Sequence, residues 1–382
     1  MSSKVYFTNM RATPELNLLQ KLEKLIKSAG IGEIDFKKQF AAIKIHLGEP
    51  GNIAYLRPNF SKVVADVIKE LGGKPFLTDS NTLYVGRRKD ALEHLDAAYE
   101  NGYNPFCTGC QVIIADGLKG TDEALIPVEG GEYVKEAKIG RAIADADIII
   151  SLSHFKGHEL TGFGGAVKNL GMGSGSRAGK MEIHSEGKPS ISEEKCIGCG
   201  RCARNCAQRA ISIKAGKASI DHEKCVGCGR CISACPFDAV MPDWDGSNDV
   251  LNKKMAEYAK AVIFGKPNFH VCLVIDVSPF CDCHVENDAA VTPDIGFFAS
   301  FDPVALDQAC ADAVIKTPVI SGTYLTDQLH ENGADPDHFH AMHPTTKWQV
   351  MLEHAEKLGM GTRKFRPCLL FFKKIYNLFS VG

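Results

Sequence analysis

The stretch KCIGCGRCARNCAQRAI at 195–211 aligns without gaps on KCVGCGRCISACPFDAV at 224–240. Each copy carries four cysteines in one spacing, Cys196-x2-Cys199-x2-Cys202-x3-Cys206 and Cys225-x2-Cys228-x2-Cys231-x3-Cys235. Three thiolates in a tight CxxCxxC turn can cap three corners of a [4Fe–4S] cubane, while the fourth points away and closes the cluster of the other copy. The expected ligand sets are therefore Cys196, Cys199, Cys202 and Cys235 for one cluster, and Cys225, Cys228, Cys231 and Cys206 for the other. Zinc is a poorer reading, because zinc motifs rarely place a fourth cysteine three residues after a CxxCxxC run. A disulfide framework fits less well still.

This spacing resembles that of the bacterial two-cluster ferredoxins. Ala207 stands where that pattern has proline, as Pro236 does in the second copy. Proline there shapes a turn and is no ligand, so the cluster assignment is unaffected. The unit spans 188–243 and holds nine Lys/Arg against six Asp/Glu. That excess offsets part of the negative charge of two ligated clusters and suits an acidic redox partner protein.

Working outward, βα patterning stops at 187 and resumes after 243. Strands are expected at 4–10, 41–48, 75–81, 112–117 and 147–154, and helices from Thr13-Pro14 to Gly30, at 58–71, 88–100 and 134–145. Beyond the repeat come a helix at 248–264, strands at 268–278 and 296–300, a helix from Asp302-Pro303 to 316, and helices at 323–332 and 345–358. Alternating strands and helices imply an α/β fold, a largely parallel sheet covered by helices. It is interrupted by the small α+β ferredoxin-like insertion. The expected organisation is an α/β domain built from 1–187 and 244–362, the insertion at 188–243, and a basic amphipathic tail at 363–382. Sites in such folds sit at strand carboxyl ends, which here carry His46, Asp79-Ser80-Asn81, His154, His158, Cys281 and Cys283.

The most reactive of these ends opens the stretch SLSHFKGHELTGFGGAVKNLGMGSGSRAGKMEIHSE (151–186), read as a glycine-rich loop. Glycines let backbone approach a ligand closely, and Gly164 and Gly165 are the candidate cofactor-binding positions. Threaded among them are His154, Lys156, His158, Lys168, Arg177, Lys180 and His184, a set suited to an anionic ligand or a metal. It is no Walker A loop, since Ser174 stands where the first glycine belongs. His158, Lys168 and His184 are the candidate catalytic residues. Of the remaining cysteines, Cys107-x2-Cys110 and Cys281-x-Cys283 suit an additional metal in the α/β domain or a redox-active disulfide. Cys272, Cys310 and Cys368 read as packing residues.

The chain has 382 residues and a formal charge of −2, so no global field argues for nucleic acid. Cysteines arranged in CxxC units suit a reducing compartment. No leader-like apolar segment and no membrane span is visible, so a cytoplasmic location is expected. The tail RKFRPCLLFFKKIYNLFSVG has five basic residues and no acid. It suits docking on the protein's own core or a partner, the alternative being weak contact with a membrane surface.

IKIHLGEPGN (43–52), LTDSNTLYVGRR (77–88), SHFKGHELTGFGGAVKNLGMG (153–173), CDCH (281–284) and DIGFFASFDPVALD (294–307) resemble the uncharacterised Fe–S centre proteins, a family built on domain-of-unknown-function family 362. The resemblance implies the α/β core, the inserted ferredoxin unit and two [4Fe–4S] clusters, but no reaction. A fainter likeness is to the nickel-pincer lactate racemase family, in which the positions of Lys168 and His184 carry the pincer nucleotide and bind nickel. The expected function is an iron–sulfur oxidoreductase that delivers low-potential electrons to a small-molecule substrate in a His/Lys-lined pocket. The alternatives are a non-catalytic electron carrier or scaffold, and a metal enzyme related to the pincer racemases.

Overall fold

The structure, a computed structural model, describes residues 2–83, 86–184, 188–242 and 247–370. The chain begins with β1 (Ser3–Asn9), α1 (Leu18–Ser28), β2 (Phe40–Lys44), α2 (Pro58–Glu70), β3 (Lys74–Asp79), α3 (Ala91–Glu100), α4 (Pro105–Thr108) and β4 (Gln111–Ile114). A hairpin of β5 (Glu123–Pro127) and β6 (Glu136–Gly140) leads through α5 (Arg141–Asp145) to β7 (Ile148–His154). Next come a short hairpin, β8 (Lys156–His158) and β9 (Gly162–Gly164), then α6 (Ala166–Ser174) and α7 (Arg177–His184). The cysteine-rich segment holds β10 (Pro189–Ile191), α8 (Arg201–Asn205), β11 (Ile211–Lys214), β12 (Lys217–Ile220), α9 (Arg230–Ala234) and β13 (Val240–Pro242). The chain continues with α10 (Asn248–Ile263), β14 (Asn268–Val274), β15 (Gly296–Ser300), α11 (Pro303–Ile315), α12 (Tyr324–Asn332), α13 (His338–Met342), α14 (Gln349–Lys357) and β16 (Phe365–Leu369).

One eight-stranded sheet dominates, in the order β16-β1-β15-β14-β7-β2-β3-β4. It is largely parallel, with β15 running against both its neighbours. Alternation along β7 explains the two cores: Ile149 joins the apolar cluster on one face, and Ile148, Ile150 and Leu152 join the cluster on the other. Strands from before and after the cysteine-rich segment share this sheet, because β14 pairs with β7 in parallel from Asn268 opposite Ile149. Within the segment β10 pairs antiparallel with β13, Pro189 lying opposite Pro242, so its entry and exit run side by side.

From β2 the chain moves outward through β3 and β4, then returns to place β7 on the other side of β2. The direction of winding reverses there, and such a switch point opens a crevice at the strand carboxyl ends.

Several elements differ from the sequence reading. Helix α1 starts after Asn17, whose side chain caps it in a reciprocal box with Gln20, not at Thr13-Pro14. Thr13 instead closes a tight bridge with Leu16. Residues 136–140 form a strand against β5 rather than part of a helix. The stretch 151–186 is no loop, since most of it forms β7, β8, β9, α6 and α7. Its helices tolerate glycine because neighbours press on them: a Cβ at Gly173 would sit 2.4 Å from Lys44 Nζ. In the basic tail, Phe365–Leu369 pairs in parallel with β1 as an edge strand. Residues 371–382 lie outside the described residues. Among the described residues no helix is long and apolar enough to cross a membrane.

Candidate functional site

The crevice between β2 and β7 opens into a partly enclosed cavity. Each neighbouring strand brings polar groups to it at its carboxyl end. β2 supplies Lys44 and, just beyond, His46; β3 supplies Asp79 and Ser80; β7 supplies His154 and, on β8, Lys156; the turn after β14 supplies Cys281 and Cys283. Helix α6 covers the gap. Asn169 on it donates to the Lys44 carbonyl (3.0 Å) and to Ser153 Oγ (3.0 Å), and accepts from Lys44 Nζ at 2.9 Å.

Five cations line this cavity: Lys44, Arg88, Lys156, Lys168 and Lys180. Three carboxylates pair with them. Lys44 meets Asp79 at 2.9 Å, Arg88 meets Glu49 at 2.7 Å and Lys156 meets Asp282 at 2.9 Å. The excess of two cations is unmatched by any carboxylate in these pairs. Arg88 Nη2 and Ser80 Oγ are buried and have no hydrogen-bond partner among the described residues. Burial is expensive for such groups unless a partner is supplied. An anionic group in the cavity would supply such a partner.

The pKa shifts follow from this crowding. Burial lowers the Lys180 ammonium to about 8, with Asp116 and Asp79 resisting and Lys44 and Arg88 assisting. Burial and the Arg88 charge bring His46 down to about 3, so it stays neutral. Burial opposes ionisation of Asp79 and Asp282, yet the cations beside them hold both carboxyls below the usual range. His154 is a tie rather than a free ligand: its Nδ1 lies 2.9 Å from Asp282 Oδ1 and its Nε2 lies 2.8 Å from the Ile275 carbonyl.

Lys168, from α6, reaches Cys281 Sγ at 3.5 Å. His158 bonds the same sulfur, and His184 is close enough to feel the charges of Lys168 and His158. The three candidate catalytic residues are thus neighbours, although only Lys168 lines the cavity itself. Burial, with Lys168 and His158 adding to it, brings His184 down to about 3. Gly164 lines the cavity, and a Cβ there would meet Lys156 Cε at 3.3 Å. Gly165 also lines it, but a further constraint comes from the other side, where a Cβ would lie 2.4 Å from Asp307 Oδ1. Asp307, on α11, accepts from the Ala166 and Val167 N–H groups (2.7 and 2.9 Å) and so caps α6.

Cys107 and Cys110 lie elsewhere. Cys107 is exposed, and Cys110 packs in the apolar core, where burial pushes its thiol up to about 11. Cys272 and Cys310 are free thiols in hydrogen-bonding contact, fully buried. Arg57 forms an exposed pair with Asp276 (3.0 Å), outside the cavity. Among the described residues no three His, Cys, Asp or Glu side chains converge tightly enough for a single metal ion.

The repeat cysteines surround two cavities. One, of about 310 Å³, is lined by Cys196, Cys199, Cys202 and Cys235. The other, of about 360 Å³, is lined by Cys206, Cys225, Cys228 and Cys231. Thiols spread around a cavity suit a bulky polynuclear group better than one ion. Backbone N–H groups of Ala210 and Ala239 approach Cys206 Sγ and Cys235 Sγ at 3.3 Å each, a pair related by the repeat. Each cavity also meets a cation of the α/β part: Lys89 feels the charge of Cys235, and Arg177 those of Cys231 and Cys228. Arg177 is fully buried, and its Nε and Nη1 have no hydrogen-bond partner among the described residues. A negatively charged group bound by these cysteines would stabilise that guanidinium.

Helix α7 links the two regions. Residues four apart share a helix face. Arg177 and Met181 face the cysteines, since a Cβ at Gly229 would lie 2.6 Å from Arg177 Cγ and 3.0 Å from Met181 Sδ. On the adjacent face Lys180 lines the anion cavity and His184 lies beside Lys168 and His158. Lys44 was legible as a charge inside the apolar run AAIKIHLG; Arg88, Asp307 and Asp282 carried no comparable signal.

The chain belongs to the family described as Domain of unknown function (DUF362), which matches residues 41–312. It is 29% identical over 139 residues to a thylakoid-associated protein of Synechocystis sp., covering 35% of this chain. The match spans 36% of that curated relative's length. Among solved structures, the lactate racemase apoprotein of Thermoanaerobacterium thermosaccharolyticum aligns at 13% identity and a TM-score of 0.34, over 72% of this chain and 51% of that one. A structural-genomics protein of Thermotoga maritima aligns at 14% identity and a TM-score of 0.36, over 78% and 59%.

Proposed function

We propose that this DUF362 family member is an iron–sulfur oxidoreductase that acts on a small anionic substrate held at the β2/β7 crevice. The observation that carries the reading is the position of α7, with Arg177 and Met181 against the cavity lined by Cys206, Cys225, Cys228 and Cys231, and Lys180 on the cavity at the β2/β7 crevice. Two [4Fe–4S] clusters, one per cysteine quartet, would supply low-potential electrons one at a time. The insertion comprising 188–243 would be the electron-handling unit, and 1–187 with 244–362 the substrate-handling domain.

The residues divide the remaining work. Arg88 Nη2 and Ser80 Oγ offer donors to an anionic group, and Lys168 and Lys180 add positive charge. Asp79, Glu49 and Asp282 hold Lys44, Arg88 and Lys156 in place. Closure by α6 keeps the bound group away from bulk water, which strengthens each of these contacts. Lys168 and His158, on the same sulfur, and the neutral His184 beside them are placed to move protons.

Anaerobic purification with elemental analysis tests the reading. About eight irons per chain are expected. Cys206→Ser and Cys235→Ser should each remove about half the iron, through opposite clusters distinguishable by electron paramagnetic resonance. Zinc in place of iron, or a Cys206→Ser variant that damages the same cluster as Cys202→Ser, would sink the assignment.

A further inference from the structure

We propose that Cys281 and Cys283 are a redox-active pair that cycles between dithiol and disulfide, with Cys281 attacking a small disulfide substrate that bears anionic groups. The proposed function enters only as the source of the electrons that reset the pair.

Both cysteines line the anion cavity, and their sulfurs are hydrogen-bonded to each other. The turn that carries them is fixed from behind. His284 N–H closes it on the Cys281 carbonyl at 3.1 Å, and the Asp282 carbonyl accepts from Glu49 N–H at 3.2 Å. The Asp282 carboxylate is held by His154 and Lys156. Two donors converge on Cys281. One is Lys168 Nζ at 3.5 Å. The other is His158, whose Nδ1 accepts from the Leu160 and Thr161 N–H groups (3.0 and 3.3 Å), leaving its Nε2–H for the sulfur. The Cys283 S–H, then Lys168 and His158, hold the Cys281 thiol well below its ordinary value against burial, while Cys283 is kept as the thiol. The contrast is Cys272 with Cys310: they also touch, but burial raises both, and they stay inert packing residues.

The chemistry balances within the pocket. The Cys281 thiolate attacks one sulfur of the substrate, the substrate S–S bond breaks, and one half leaves as a thiolate. Cys283 then gives up its proton to that leaving thiolate and attacks the Cys281 sulfur, releasing the other half. The pair loses two electrons, the substrate gains them, and the substrate leaves as two thiols once the second half takes a proton from water. Lys180 and the unpartnered Arg88 Nη2 select anionic groups on the substrate. Two electrons and two protons return the pair to the dithiol; dithiothreitol can supply them in a test.

The test treats iron-loaded protein, under argon, with oxidised glutathione as the anionic disulfide, followed by alkylation with iodoacetamide and peptide mass mapping. The peptide carrying both cysteines should be lighter by two hydrogens and refractory to alkylation, and dithiothreitol should restore it. Cys283→Ser should trap glutathione on Cys281 as a stable mixed disulfide, and Cys281→Ser should trap none. Lys168→Met should slow alkylation of Cys281 at neutral pH about tenfold, the change expected per unit rise in thiol pKa. Hydroxyethyl disulfide, which is neutral, should react more slowly than oxidised glutathione. Full alkylation of both cysteines after oxidised glutathione, or no adduct in Cys283→Ser, overturns the pair; equal rates for the two disulfides overturn the anionic substrate. Iron content measured on the same samples separates these failures from failure of the iron–sulfur reading.

Discussion

At the scale of single residues, the anion cavity is governed by charges held out of water. Lys180 is the most sensitive of them. Its Nζ donates to the Gly175 carbonyl at 2.6 Å, and burial sets its pKa at about 8. The ammonium is charged below that pH and neutral above it. Anion affinity should therefore fall as pH rises through about 8. Sulfate is the suitable probe, since its charge does not change in this range. Calorimetric titration between pH 6.5 and 9.5 should show that step, and Lys180→Met should remove it; a pH-independent affinity in the native protein would discount Lys180. Residue chemistry was largely legible in the sequence. The reactive side chains of 151–186 and the pair Cys281/Cys283 were visible as types of group at strand ends. Arg88 and Asp307 were not, because they gain meaning only from partners 39 and more than 100 positions away.

At the scale of elements, the cavity depends on where α6 begins. Its first N–H groups are satisfied by Asp307 from α11, a cap supplied across the fold. Burial pushes the Asp307 carboxyl up to about 7, against the two N–H donors that favour its charge. The unfolded carboxyl titrates near 4. Between those values the native state keeps a proton that the unfolded chain has lost, so stability should fall as pH rises from about 4 to about 7. Asp307→Asn keeps an acceptor and should flatten that dependence. Asp307→Ala leaves two buried donors unmet and should cost about 2–3 kcal/mol, read from urea midpoints across the pH range. A flat native profile would show that Asp307 is charged throughout. Helices α6 and α7 were hard to foresee, because their glycines suggested a loop. Helix won because α10 and Lys44 press so closely on α6 that only glycine fits: a Cβ at Gly171 would lie 2.2 Å from the Met255 carbonyl oxygen.

At the scale of the whole molecule, the cysteine-rich segment joins the α/β part at one place. β10 and β13 bring its two ends side by side, and the sheet takes all eight strands from outside it. Replacing 188–243 with a short polar linker should therefore leave the sheet intact, judged by circular dichroism and a cooperative unfolding transition. Iron should be lost completely, while Cys281 keeps its fast alkylation. Loss of cooperative folding would mean that the contacts of Leu83 and Met181 with the cysteine unit are required for the α/β part to form.

What the sequence alone determined was periodic or repeated. The eight-cysteine spacing, the alternation of strands and helices, and the helix start at Asp302-Pro303 are local patterns, and local patterns survive being read one residue at a time. Only the tertiary structure decided that β7 returns beside β2, that five cations meet three carboxylates there, and that α7 faces both the thiols and the cavity. Those outcomes arise from contacts between residues far apart in the chain. The apolar clusters on the two faces of the sheet drive the packing, and the buried charges are tolerated there only beside opposite charge, which no spacing along the sequence encodes.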